Sequence, residues 1–532
     1  MAVFPEKPFL TTNFSPSGGG VDFLGMQQVN QAMVNDRLLG GINNATRDLG
    51  TYCLAAWIPW KFRELAKGPR DFVKKKYMPF REAAEVAISH TLRDGATAVR
   101  KHGAIRNNVG KNQRFKPGKL SFKSVKRRVS VFDAAYYGPS LKALGLLTPY
   151  SRSRDGLRRV QIPLIREGDQ ASLLMAETVD GWLQKSPHYS KLNNLGSTSF
   201  TSKIVDNLGG HGLNPARYRK AGKKLKRAFL SKLLPDVQAN PRNLTARLIV
   251  ETLGRRKNLT VNLLRRSWHT GFLPGGRRLV IKDPALEEHR KRWAFFISRQ
   301  YQRYIVEWFL RIFEEALIRK HNSIDSITDY ALREYCPGEG SNLRSCIASV
   351  CRDFSRSKDL GKLSAAWGEK VHPTDDRYDW VDDDSIIATI AKWFLRMNSL
   401  RACFAGWSEG EEMYHSGGYS RISMGMFFSW INERLGCSLK ELLKDAFRQL
   451  VFAQHLKVAL GRLDGQNQRL RFSLDDLGIT PSKAFEEKMP AKPNYMRDRL
   501  DAFVHLLCDA GALQESANGA LQPGDLVDCI TG

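Results

Sequence analysis

The sequence predicts a mainly α-helical, multi-domain protein with one or two winged-helix-like units. Three observations carry this. The chain has 532 residues, enough for about three to four domains of ordinary size. Apolar residues recur at the 3.6-residue period over most of its length, most clearly after Pro284. In two places a helical run passes through a turn into a short extended stretch, the order of a winged helix.

The elements follow in order. "FSPSGGGVDFL" (14–24) is a Gly/Ser turn entering a short extended piece, and "GMQQVNQAMVNDRLL" (25–39) a helix broken by Gly40 and Gly41. In 43–68, Leu49, Tyr52, Cys53, Ala56 and Trp57 share one helical face, so a buried helix is expected, limited or kinked at Pro59. A further helix over 70–95 ends at Gly95. Residues 100–128 read as a long basic loop. Then "SVFDAAYYGPSLKALGLLTPYSRSRDGLRRVQIPLI" (130–165) gives helix, turn, short helix, basic turn and extended piece, the first winged-helix-like unit.

Residues 171–270 are helical in pattern, with loops at "PHYSKLNNLGSTSF" and "NLGGHGLNPARY". After a break with an extended "RRLVIK", Pro284 opens a helix of about 36 residues, well placed as a first-turn proline. Its Trp293, Phe296, Ile297, Tyr301, Tyr304, Trp308 and Phe309 form a wide apolar face, read as a core spine, with a base-stacking platform as the alternative. Residues 320–384 read as a linker or variable region, and the remainder is helical again. At the C-terminus "MRDRLDAFVHLLCDAGAL" is a helix ending at Gly511, and "GALQPGDLVDCI" a short hairpin or wing. The expected divisions are an N-terminal helical domain (1–98), a basic loop with a winged-helix-like unit (99–170), a basic helical domain (171–320), the linker (321–384) and a C-terminal helical domain (385–532).

Charge is the unusual feature. The chain holds 83 Lys and Arg against 54 Asp and Glu, net +29. Residues 1–300 hold 54 against 21, and residues 301–532 hold 29 against 33. The whole excess therefore lies in the first part, which suggests one face for a polyanion and another for a different partner. It clusters in three runs. The first contributes Arg106, Lys111, Arg114, Lys116, Lys119, Lys123, Lys126, Arg127 and Arg128, continued by Arg152, Arg154, Arg158 and Arg159 of the presumed wing. The second contributes Arg219, Lys220, Lys223, Lys224 and Arg227, and the third Arg255, Arg256, Lys257, Arg265 and Arg266. Cations of this density release counterions from a phosphate backbone, so nucleic acid is the expected partner, and the basic wing of the first winged-helix-like unit favours DNA over RNA. A solvated loop without a partner, an anionic membrane surface and an acidic protein are the alternatives.

Chemistry is harder to find. The chain has no GxxxxGK[ST], GxGxxG after a strand, HExxH or GxSxG. "DDRYDWVDDD" (375–384), with six Asp, is the best acidic constellation and a possible Mg²⁺ site for a nuclease, but it reads more simply as a solvated helix entry capped by Asp383 or Asp384. His321, Cys336, Cys346 and Cys351 do not match paired zinc-ligand spacings. His269, among arginines, reads as a structural or surface residue, with a phosphate contact as the alternative. No catalytic residue, metal or cofactor is expected. The eight sparse cysteines have mostly apolar neighbours, as buried thiols in a reducing compartment do. No apolar run is long enough for a membrane span, and Met1–Asn13 lacks the apolar core of a signal peptide. A cytoplasmic protein is expected.

The order "DFLGMQQVNQAM…LLGGINNATRDLGTYCLAAWIPW", with the terminal "QHLKVALGRL…RLDAFVHLLCDAGAL…GALQPGDLV", resembles uncharacterised bacterial proteins of anti-phage defence islands. The likeness covers about 50 residues at one end and about 75 at the other. It carries over no functional residue. It implies only a setting: a large accessory subunit beside a helicase or nuclease. The expected function is thus non-enzymatic binding of nucleic acid by a subunit of a multi-protein defence or DNA-targeting complex. A metal-dependent nuclease acting through 375–384, or a scaffold for an acidic protein, are the rivals.

Overall fold

The structure is a computed structural model, and it describes residues 22–26, 30, 32–42, 48–65, 138–147, 168–194, 202–235, 240–275, 277–336, 342–348, 422–460, 470–481 and 498–531, with 80, 81, 84, 165, 386–391, 393, 394, 397 and 410. These residues are mostly helical. The principal helices are α1 (Leu49–Leu65), α2 (Gln170–Leu183), α3 (Lys223–Leu233), α4 (Pro241–Arg255), α5 (Val261–Thr270), α6 (Pro284–Ile318), α7 (Ile324–Tyr335), α8 (Met424–Glu433), α9 (Leu439–Asp445), α10 (Leu500–Asp509) and the short α11 (Asp528–Thr531). Strands β1 (Phe472–Asp475) and β2 (Gly478–Pro481) form one antiparallel pair, β3 (Leu513–Glu515) and β4 (Leu521–Pro523) another. No described helix is long and apolar enough to cross a membrane.

The chain divides into two compact units, each drawn from three stretches of sequence. One comprises Asn35–Leu264, Asp283–His289 and Asp498–Gly532; the other Met1–Val34, Arg265–Lys282 and Arg290–Arg497.

In the first of these units α1 packs against α2, and α2 against α3. Thirteen residues of α1 are buried, among them Tyr52, Cys53 and Trp57 on the expected face. The helix runs through Pro59. The lost backbone hydrogen bond is outweighed by burial of the flanking turns. Trp57 Nε1 donates to Asp180 Oδ1 at 3.0 Å, and the hydroxyls of Tyr52 and Ser140 meet at 2.5 Å. Local signals set the helix ends. Asp169 caps α2 by accepting from Ser172 N, and Asn240 caps α4 ahead of its first-turn Pro241. "NLGGHGLNPARY" is not the expected loop: Gly209–Leu213 forms a π-helical turn and Pro215–Lys220 a 3-10 turn that packs on α1.

The other unit is organised by α6 from Arg290 onward. Trp293, Phe296, Ile297, Tyr301, Tyr304 and Phe309 are buried, and Trp308 is half-buried under the Arg311 guanidinium. The aromatic face is a core spine. Phe313 packs against Phe447 and Phe472, and Glu314 is locked to Arg471 through two hydrogen bonds in the interior. Residues 324–335, expected within the linker, form α7. Ser323 and Ser326 make a capping box there, and Ile327, Tyr330 and Ala331 are buried. The α7 helix packs on α9, which has its own capping box at Ser438 and Glu441.

Candidate nucleic-acid interface

The second basic run and the 255–257 part of the third lie among the described residues of the unit holding the C-terminal segment, and both are brought to the same hairpin. The Pro215–Lys220 turn carries Arg219 and Lys220, and α3 begins at Lys223 after Gly222. On α3, Leu225, Phe229, Leu230 and Leu233 face the interior, which turns Lys223, Lys224 and Arg227 outward. The third run forms the end of α4 and the corner after it. Asn258 adopts a left-handed conformation there (φ 61°), which asparagine tolerates better than most residues, and this leaves Arg256 and Lys257 exposed.

The C-terminal segment joins the two. Helix α10 ends in a Schellman motif: Ala512 N donates to Leu507 O at 2.9 Å, Gly511 N donates to Cys508 O at 3.0 Å, and Gly511 supplies the positive φ of 76°. The chain then forms β3 and β4, paired Leu513 with Pro523 and Glu515 with Leu521. On one side, Leu521 N donates to Leu259 O at 2.9 Å and Gln522 Nε2 to Asn258 Oδ1 at 3.0 Å, one residue beyond Lys257. On the other, Arg219 Nε lies 3.0 Å from Asp509 Oδ1 and Arg227 NH2 lies 2.8 Å from Asp528 Oδ2. Lys226 Nζ donates to Arg219 O at 2.9 Å. Residues about 30 apart in the chain thus flank one hairpin.

Not every expected cation is available there. Arg219 and Arg227 have acid partners, and Arg255 is held by Glu251 one turn earlier, at 2.7 and 3.1 Å. Lys220, Lys223, Lys224, Arg256 and Lys257 are exposed with no acid partner among the described residues. Arg265 and Arg266 are a correction. They are buried and engaged inside the protein, because α5 is buried on every side from Leu264 to Thr270 and leaves no outward face. His269 is internal too, 3.0 Å from Ser298 Oγ with its ring against Tyr301, so it meets no phosphate. Arg106, Lys111, Arg114, Lys116, Lys119, Lys123, Lys126, Arg127 and Arg128, and the wing residues Arg152, Arg154, Arg158 and Arg159, lie outside the described residues, as do Asp375–Asp384 and Cys351.

A second polar cluster joins α1, α2 and the following turn. Asp180 Oδ2 accepts from Tyr189 OH at 2.6 Å and Gln184 Nε2 at 3.0 Å, and Oδ1 faces Lys61 Nζ at 3.5 Å. Lys61 in turn donates to Tyr189 OH at 2.5 Å. Burial first, and the bond to Asp180 second, push the Tyr189 phenol upward. With the carboxylate's lone pairs occupied, the cluster ties α1 to α2 and to the turn after it. The described residues contain no group of three or more His, Cys, Asp or Glu arranged to hold a metal ion. His321, considered with the cysteines, packs its ring on Tyr330.

The sequence reading missed Asp509 and Asp528, the acids set against the basic run. They lie about 300 residues further along, and no local pattern links them to it. Comparison with known protein families, curated proteins and solved structures finds no match.

Proposed function

We propose that this protein binds nucleic acid, DNA in particular, through its phosphate backbone and without cutting it, as a subunit of a multi-protein complex. One observation carries the reading: two basic runs about 30 residues apart flank one hairpin, with Lys220, Lys223, Lys224, Arg256 and Lys257 exposed and without an acid partner among the described residues. The helix dipole favours Arg256 and Lys257 at the C-terminal end of α4, but it works against the cations that open α3. Lys223 and Lys224 open α3, where the helix dipole disfavours cations by about 0.3–1 kcal/mol each. Such contacts position a duplex without reading its sequence.

The winged-helix part of the reading concerns this same unit. At the C-terminal end helix α10 is followed by the antiparallel pair β3 and β4, as in the helix and wing of that module, while the first winged-helix-like stretch, 130–165, lies mostly outside the described residues. Helix α10 is largely buried, so the basic corner and α3, rather than a reading helix, are the proposed contacts. The resemblance of the chain ends to defence-island proteins supports the setting: a protein partner such as a helicase or nuclease.

The test is fluorescence anisotropy with labelled duplex DNA, single-stranded DNA and RNA over a range of salt, with Mg²⁺ and a gel of the products. Duplex binding with a steep salt slope and intact strands is expected. Replacing Lys223, Lys224, Arg256 and Lys257 by Gln should flatten the slope by up to about 0.9 per contact removed. No binding at low salt overturns the reading, and cut strands overturn its non-enzymatic part.

A further inference from the structure

The basic face carries its own acids, and one of them is placed differently from the other. The Asp528 carboxylate and its partner Arg227 are both 57% exposed. Asp509, the last residue of α10, is 5% exposed, while the Arg219 guanidinium bonded to it is 46% exposed. That pair therefore has one end fixed in the interior and one end at the surface. Arg219 is free to turn outward to another anion; Asp509 cannot follow it. When Arg219 leaves, a buried carboxylate loses its cation, which is costly unless the carboxylate takes up a proton.

The surroundings of Asp509 favour that proton. Its position at the C-terminal end of α10 sets it against the negative end of the helix dipole. Asp48, ahead of α1, is a second carboxylate nearby, itself held by Gly50 N, Thr51 N and the Thr51 hydroxyl. The 215–220 turn presents Arg219 and buried Tyr218, and α3 presents Lys226. On its own helix His505 lies one turn earlier, and Cys508 precedes it; β3 adds Glu515. Burial pushes the Cys508 thiol up to about 12 and the Tyr218 phenol well above its usual range, so both stay neutral. Burial first, and the charge of Asp48 second, push the Asp509 carboxyl up to about 7, against the pull of Arg219 and the Leu49 N–H.

We propose that Asp509 competes with nucleic-acid phosphate for Arg219, and that proton uptake by Asp509 hands Arg219 to the phosphate. The proton comes from solvent, Arg219 stays cationic throughout, and the face gains one positive charge. This rests on the reading of the face as a phosphate-binding surface.

The experiment is duplex binding at about pH 6 and about pH 8 over a salt series, with the full chain and with Asp509→Asn, Arg219→Gln and His505→Gln. For the unaltered chain, affinity rises several-fold toward the lower pH and the salt slope steepens by about 0.9, one added phosphate contact. Asp509→Asn binds at the low-pH level at both values. Arg219→Gln, a surface change that leaves the interior filled, binds at the high-pH level at both. His505→Gln keeps the rise, which separates Asp509 from the neighbouring imidazole. An undiminished pH response in Asp509→Asn or Arg219→Gln, or none in the unaltered chain, overturns the competition while leaving the interface reading intact. Absence of binding at every pH overturns the interface reading itself, and the competition with it.

Discussion

Around the C-terminal hairpin, Lys223, Lys224, Arg256 and Lys257 stand exposed with no acid partner among the described residues, whereas Arg265, Arg266, Arg290, Arg299 and Arg303 of the other unit are buried. The buried set is consumed by the fold. Arg290 NH1 donates to the Trp268 carbonyl at 2.7 Å, Arg299 NH1 to Gln302 Oε1 at 2.8 Å, and Arg303 Nε to Glu307 Oε1 at 2.6 Å. Both regions are rich in basic residues, but these five arginines point inward, while Arg277, Arg278 and Lys282 of the same unit are exposed. The difference follows from what surrounds each helix. α3 has one apolar face and one free face, while α5 and the middle of α6 are enclosed almost all round. A buried arginine must find acceptors inside the protein; an exposed one is satisfied by water and remains available to phosphate.

Three substitutions break or sharpen this contrast. The largest effect is expected at the buried pair. Glu314→Gln leaves the interior Arg471 guanidinium without its counter-charge, and a loss of about 3–5 kcal/mol is expected by denaturant unfolding. An unchanged midpoint would mean that the pair adds nothing to stability. Next comes the hairpin base. A Cβ at Gly524 would lie 2.5 Å from the Gly511 carbonyl oxygen, which is backbone and cannot swing away. Gly524→Ala should therefore cost about 1–3 kcal/mol and weaken duplex binding together with stability, since both basic runs meet at this hairpin. Stability lost with binding intact would separate the hairpin from the interface. The smallest effect has opposite signs in two assays. Lys223→Glu places an acid in the first turn of α3, so thermal unfolding should show about 0.3–1 kcal/mol of added stability while affinity for duplex falls. A variant that gains stability and keeps its affinity would remove Lys223 from the interface.

Much of the fold was legible because its signals are short-range. Pro284 opens α6 and Gly511 closes α10 where their chemistry predicts. The buried face of α1 and the aromatic spine of α6 follow the apolar period. Pro59 does not end α1, because the local cost of a helical proline is visible in sequence while the packing that offsets it is not. α7 was hidden in an apparent linker, since its buried face is only Ile327, Thr328, Tyr330 and Ala331.

The candidate site was legible in the sequence only as basic composition. The basic runs at 219–227 and 255–257 stand out in composition, as does the excess of charge in the first 300 residues. Helical class, helix ends and charge distribution were thus determined by the sequence alone, because periodicity, capping and composition act over a few residues. Which cations remain free was decided by the tertiary structure. Asp509, Asp528 and the Leu259–Leu521 bridge bring in partners about 250–300 residues away, and enclosure withdraws Arg265 and Arg266 from solvent. A cation's availability depends on its desolvation and its nearest acid, and both are properties of the folded chain.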